Sequence, residues 1–182
     1  RLELLRQIGV EPDDTTAPDV DETVKPGELA RDVVRRLAAA KRESVAVRVS
    51  NAVVLAADTV VTCGRRILQK ADDEATARRY LEFLSGRRHR VLTGVAVCSP
   101  HGDARERVVS TVVTVKRLSA AEVAWYLDSG EWQGKAGGYA IQGRFAALVK
   151  SVNGSYSNVI GLPLAETVAL LEGLGYAVMR PS

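Results

Sequence analysis

The chain has 182 residues, 46% hydrophobic and 26% charged, with 25 basic groups against 22 acidic ones and a net charge of +3. This size predicts one domain, or two small lobes, and the composition excludes a disordered, collagen-like or coiled-coil chain. No apolar stretch approaches the roughly 20 residues that span a bilayer, and no charged segment leads into an apolar signal-peptide core. Basic residues interleaved with acids, as in Arg105-Glu106-Arg107, read as solvated faces rather than a nucleic-acid surface.

In chain order, Leu2, Leu5 and Ile8 recur at helical spacing and Gly9 follows as a stop. Residues 11–26, acidic and rich in Thr, Pro and Asp, read as a loop. A second helix is expected over 27–44, with Leu29, Val33 and Leu37 on one stripe and Ala30, Val34 and Ala38 beside it. The alternating valines at 45, 47 and 49 open a short strand. Residues 52–57 form a continuous apolar run of the kind found in strands covered on both faces, ending at Asp58-Thr59, with a hairpin return at Ile67-Leu68. Asp72 is placed as the N-cap of a helix reaching Leu84. Residues 91–98 and 108–115 flank Pro100-His-Gly-Asp103 as a hairpin.

Ser119-Ala-Ala-Glu122 is a capping box for a helix to about Asp128. Residues 145–152 read as a strand, 154–163 as a loop or short turn, 164–171 as a helix and 176–179 as a closing strand. The expected architecture is α/β, a mixed twisted sheet with helices packed outside it. Cys63 and Cys98 have neither the spacing nor the company of metal ligands and are expected as reduced thiols in a cytoplasmic protein.

Asp58 is the first residue with chemical promise. A carboxylate following an apolar strand stands where open α/β sheets place ligands, able to hold a divalent cation or take a proton from water. Capping of the next turn is the plainer alternative. Lys135-Ala-Gly-Gly-Tyr139 offers a cation beside backbone bared by glycine, or else a Gly-rich turn. Gln142, in Ile141-Gln142-Gly143, both donates and accepts, as recognition of a base edge requires, although surface glutamines commonly have no such role. Gly154-Ser-Tyr-Ser-Asn158 before a helix suits a phosphate or sugar contact and equally a tight turn. His89 and His101 lack the partners of a Ser-His-Asp triad.

The order of these pieces is specific. Arg1-x-Glu3-Leu-Leu5, Asp21-Glu22, Leu37-Ala-x-x-Lys41, Ala57-Asp-Thr-Val-Val61, Leu84-Ser-Gly-x-x-His89-x-Val91-x-Thr-Gly94, Lys135-Ala-Gly-x-Tyr-x-Ile-Gln-Gly143 and Gly154-Ser-Tyr-x-Asn-Val-x-Gly-Leu-Pro-Leu-x-Glu-Thr167 together resemble the Maf family of septum-formation-inhibitor-like nucleoside triphosphate pyrophosphatases, over essentially the whole chain. The resemblance implies a single domain over 1–182, its two lobes folded around a deep central cleft like the inosine triphosphate pyrophosphatases. It also implies cleavage between the α and β phosphorus atoms with Mg²⁺ or Mn²⁺. Asp58 takes the place of the proton acceptor. Arg1, Lys41, Lys70 and Lys135 take those of the phosphate-contacting bases. Glu22 joins Asp58 at the metal, and Thr59 and Gln142 set base preference. The Lys-Ala-Gly-x-Tyr-x-Ile-Gln-Gly form resembles the dTTP/UTP-cleaving branch.

The family pattern opens with a strand and Ser-x-Ser-Pro-Arg-Arg, and Arg1 matches its second Arg, so that strand and phosphate loop are expected to be missing. Ala71 stands where the family has proline. The implied partners are a nucleoside triphosphate and a second copy of the chain, with no nucleic acid and no membrane. Beside the house-cleaning pyrophosphatase stands a second reading, a nucleotide-binding regulator of cell division that hydrolyses little. A basic RNA-binding module is disfavoured by 5% aromatics and no RNA motif.

Overall fold

The computed structural model describes residues 1–178. Helices α1 (Leu2–Gln7), α2 (Ala30–Ala46), α3 (Glu74–Leu84), α4 (Ala120–Leu127), α5 (Tyr156–Ile160) and α6 (Leu164–Gly173) accompany strands β1 (Val54–Cys63), β2 (Arg66–Leu68), β3 (Arg88–Cys98), β4 (Ala104–Val115) and β5 (Val149–Asn153). The strands form one five-stranded sheet in the order β2-β1-β3-β4-β5. This is the α/β class, helices with one sheet, that the sequence pattern predicts. No described helix is long and apolar enough to cross a membrane, and Cys63 and Cys98 are free thiols.

The chain divides into two compact units. The first takes residues 1–58, 93–109 and, among the described residues, 161–178. Its α2 buries Val33, Val34, Leu37 and Ala38, the i, i+1, i+4, i+5 face of an amphipathic helix. The helix reaches β3 where Gly94 has no side chain: a Cβ there would stand 2.2 Å from the Val34 carbonyl oxygen. Only glycine permits that approach.

The second unit takes residues 59–92 and 110–160. Leu68, Leu81, Leu84, Val91, Val113, Tyr126 and Phe145 are fully buried in its core, each such side chain contributing about 1.5–3 kcal/mol of burial. The Tyr139 ring stacks on Phe145 at 4.3 Å, and Phe145 meets Tyr126 edge-on at 5.2 Å. β1 pairs antiparallel with β2, Val61 opposite Leu68, and β4 with β5, Val113 opposite Val152.

Several expectations are corrected. The valines at 45, 47 and 49 do not open a strand; α2 runs through Ala46, the Val47 amide bonds back to the Glu43 carbonyl, and Val47 is 83% exposed. Leu29 is the exposed N-cap of α2, outside its buried stripe. α3 is capped by Asp73 rather than Asp72, because only Asp73 stands three residues before the Thr76 amide that its Oδ1 accepts, at 2.6 Å. Residues Arg144–Leu148 form a 3₁₀ helix ahead of β5, burying Phe145 and Leu148 at the i, i+3 spacing of that helix. α5 lies within the expected 154–163 loop; the Asn158 amide bonds to Ser155 Oγ at 3.2 Å. Residues 176–178 form no strand, and Met179 lies outside the described residues.

Candidate active site

Asp58 does not stand at a strand end. It is the fifth residue of ten in β1, because the β-branched run Val60-Val61-Thr62 carries the strand on to Cys63. Its residue exposure is 7%, a position where a carboxylate needs a partner. That partner is Lys41, on the last turns of α2, whose Nζ donates to Asp58 Oδ1 at 2.6 Å and lies 2.6 Å from Glu22 Oε1. One ammonium is therefore shared by two carboxylates from different parts of the first unit.

Glu22 reaches this position from the 11–26 loop because the loop is strapped to α2. Arg36 donates from Nε and Nη2 to the two oxygens of Glu28, both at 2.7 Å, and from Nη2 to the Thr23 carbonyl at 3.0 Å. Such forked, charge-assisted bonds are the strong ones, and they pull the Glu28 carboxyl down to about 2. The Asp21 carboxylate accepts from the Thr23 amide at 2.9 Å, a bond that spans Glu22. Arg1 completes the group. Its Nε donates to the Gly161 carbonyl at 2.8 Å. The residue as a whole is exposed, but withdrawal of its guanidinium from water lowers its pKa, opposed by the charges of Asp58 and then Glu22.

The other four expected residues lie in the second unit. Thr59 is the next residue of β1, partly buried. Lys70 and Lys135 are brought together through their backbones: Lys70 bridges antiparallel to Ala136, the Ala71 amide bonds to the Lys135 carbonyl at 3.2 Å, and the Gly134 and Gly137 amides bond to the carbonyls of Ala71 and Gln69, both at 3.1 Å. Both lysines are exposed. The left-handed pair Gly137-Gly138, φ +71 and +72, then turns the chain inward to Tyr139. Gln142 follows, also exposed.

Sequence reasoning passed over the residues that hold this segment. His89 Nε2 and the Tyr139 hydroxyl are 2.6 Å apart, and the Ala140 amide donates to the Tyr126 hydroxyl at 3.0 Å. Burial pushes the His89 imidazole down to about 4 and the Tyr126 phenol up to about 12, and raises Tyr139 still further. At neutral pH all three are uncharged. The signal for His89 was available: in Arg88-His89-Arg90-Val91, period-two alternation puts His89 on the buried face with Val91. Nothing in the sequence marked Arg36.

Asp58 and Glu22 also answer whether a divalent ion fits. Two hard carboxylates converge on one cationic centre, the place now taken by the Lys41 ammonium. Mg²⁺ and Mn²⁺ are held by one or two carboxylates when waters and phosphate oxygens supply the rest. Among the described residues no group of three or more His, Cys, Asp or Glu side chains forms a self-sufficient cage. The donor set fits an ion brought to the site with a phosphate ligand.

Comparison with known proteins gives this arrangement a family. Residues 1–174 match the family described as Maf-like protein. A protein of Paramagnetospirillum magneticum named dTTP/UTP pyrophosphatase is 59% identical over 177 residues, 97% of this chain and 93% of its own length. One of Rhodospirillum rubrum with the same name is 56% identical over 176 residues, 97% of this chain and 84% of its own. A protein of Anaplasma phagocytophilum named nucleoside triphosphate pyrophosphatase is 52% identical over 173 residues, 95% of this chain and 90% of its own. With identity above half over nearly the whole chain, the protein that holds Lys41 between Asp58 and Glu22 belongs to the Maf family.

Proposed function

We propose that this chain is a house-cleaning nucleoside triphosphate pyrophosphatase that hydrolyses dTTP and UTP to the monophosphate and pyrophosphate. The observation that carries the reading is the ammonium of Lys41 between Asp58 and Glu22: two carboxylates and a cation stand preassembled on one strand, one strapped loop and one helix. The names of the relatives support the substrate class.

Asp58 is the proton acceptor. Lys41 engages its Oδ1, and Oδ2 takes the proton of the attacking water as the new bond to phosphorus forms and the bond to the bridging oxygen breaks, releasing pyrophosphate. Arg1, Lys41, Lys70 and Lys135 are the cations assigned to phosphate charge, which is costly to bury uncompensated. Thr59 and Gln142 read the base, the Gln142 carboxamide being able to donate and accept at once. Asp58 and Glu22 are the residues that would hold Mg²⁺ or Mn²⁺, which when bound lowers the pKa of water and offsets phosphate charge. A cytoplasmic setting and a homodimer belong to the same proposal, the latter checked by sedimentation equilibrium.

The test is pyrophosphate release from a panel of nucleoside triphosphates with Mg²⁺ and with Mn²⁺. Release from dTTP and UTP is expected to exceed that from purine triphosphates. Asp58→Asn is expected to lower turnover about 10³-fold, with nucleotide affinity changed only a few-fold. Near-normal release by that variant refutes the role of Asp58, and binding without release by the unaltered protein favours the regulatory reading.

A further inference from the structure

Gln142 is exposed, yet the backbone on its C-terminal side is tightly held. The Arg144 amide donates to Glu131 Oε2 at 2.7 Å. This amide is the first of the 3₁₀ helix Arg144–Leu148, and such leading amides have no partner within their own helix. The same carboxylate fills the space beside Gly143: a Cβ on that residue would stand 2.0 Å from Glu131 Oε2 and 2.5 Å from its Cδ. Gly143 has φ −103, which any residue adopts, so a side chain here would meet the Glu131 carboxylate rather than a dihedral restriction, and Glu131 would have to give up its place to admit it.

Glu131 is itself anchored. Its amide donates to Ser129 Oγ at 3.2 Å, and that hydroxyl donates to the Tyr126 carbonyl at 2.6 Å. Tyr126 holds the other side of Gln142 as well, accepting the Ala140 amide, while the Gly143 amide turns back to the Ala140 carbonyl at 3.2 Å. The Arg144 guanidinium lies 5.7 Å from the centre of the Trp125 ring. Every one of these contacts falls on backbone or on residues flanking Gln142, leaving its carboxamide to solvent.

We propose that Glu131 is a positioning residue for base selection: its carboxylate, lodged where a Gly143 side chain would be, fixes the backbone after Gln142 and so presents the carboxamide in one register. The proposal rests on the reading of Gln142 as a base-contacting residue. A carboxylate accepting a backbone amide makes a short, charge-assisted bond, and a small misplacement of a recognition group is enough to erode discrimination between substrates. Glu131 touches neither base nor phosphate in this scheme, so its removal acts on preference rather than on chemistry.

The experiment compares kcat/KM for dTTP, UTP and dGTP in the unaltered protein, Glu131→Ala, Glu131→Gln, Gln142→Ala and the double variant Glu131→Ala/Gln142→Ala, with thermal melts on each. Glu131→Ala is expected to flatten the pyrimidine-to-purine ratio on the order of tenfold, mainly through KM. Glu131→Gln, whose side-chain oxygen still accepts from Arg144, is expected to keep most of the ratio. The double variant is expected to match Gln142→Ala alone, because the two act as a unit. Should Glu131→Ala fail to fold, Glu131→Asp, whose oxygen is withdrawn by one methylene, serves the same comparison. An equal loss on all three substrates, or an unchanged ratio while Gln142→Ala flattens it, overturns the positioning role. An unchanged ratio in Gln142→Ala strikes instead at the reading of Gln142, and the proposal falls with it.

Discussion

The two units present charge in opposite ways. In the first, Lys41 and Asp58 are nearly withdrawn from water, their side chains 12% and 10% exposed, and are neutralised against one another and Glu22 before any ligand arrives. In the second, Lys70 and Lys135 are exposed while the backbone beneath them is stitched by amide–carbonyl bonds across residues 69–71 and 134–137. In the first unit the chain fixes charged side chains against one another; at residues 69–71 and 134–137 of the second it fixes the backbone beneath two exposed lysines. Desolvated charges need a preformed partner, whereas an exposed ammonium carries no comparable desolvation cost.

Paired lysine substitutions sharpen this contrast most. Lys41→Met removes the shared cation and leaves Asp58 and Glu22 facing each other, an expected loss of about 3–4 kcal/mol in unfolding free energy. Lys135→Met removes an exposed charge and is expected to stay within about 0.5 kcal/mol of the parent, while weakening nucleotide binding. Urea unfolding at neutral pH reads both. Equal losses in the two variants would remove the distinction between the units.

Gly94 breaks the first unit without touching a charge. Its missing Cβ sets how closely α2 approaches β3, and α2 carries Lys41. In Gly94→Ala the backbone of the helix must move, since a carbonyl oxygen at 2.2 Å has no rotamer by which to escape. The expected cost is about 3 kcal/mol, with turnover falling along with stability as Lys41 is carried away from Asp58. A melting temperature unchanged from the parent would show that the helix position is not set here.

The same distinction explains what was legible in the sequence. Several local signals were read correctly: the Ser119–Glu122 capping box is formed reciprocally, Gly9 stops α1 in a left-handed turn, and residues 54–57 of the apolar run 52–57 lie in β1, whereas the cap of α3 was read one residue early. The larger failures came where a tertiary partner decided. Asp58 looked terminal because polarity interrupts the apolar run, yet the strand continues through it, with Lys41 supplying the missing solvation. Phe145-Ala-Ala-Leu148 looked extended, yet its burial requires the aromatic stack with Tyr126 and Tyr139. Of the expected site residues, the structure assembles Arg1, Glu22, Lys41 and Asp58 in the first unit and joins the Lys70 and Lys135 backbones in the second. The strap by Arg36 had no signature, since Glu28 and Arg36 meet across a turn whose shape the sequence does not declare.

The second unit yields to pH instead. His89 is 2% exposed and held at about 4 by burial, against an ordinary 6.5. Its folded pKa is depressed, so as pH falls the unfolded chain takes up a proton first. The stabilising difference is therefore complete above about 6.5 and drains away between about 6.5 and about 4. At pH 5 linkage gives a loss of about 2 kcal/mol relative to pH 8. Carboxylates elsewhere titrate over part of the same range, so the informative quantity is the difference between the parent and His89→Gln, which keeps a hydrogen-bonding side chain for the Tyr139 hydroxyl but does not ionise. Urea unfolding at pH 8 and pH 5 is expected to show the parent losing about 2 kcal/mol more than the variant over that interval. Parallel losses would mean that His89 takes its proton as readily inside the fold as outside it, and the neutral His89–Tyr139 link could not then be what holds the segment between Lys135 and Gln142.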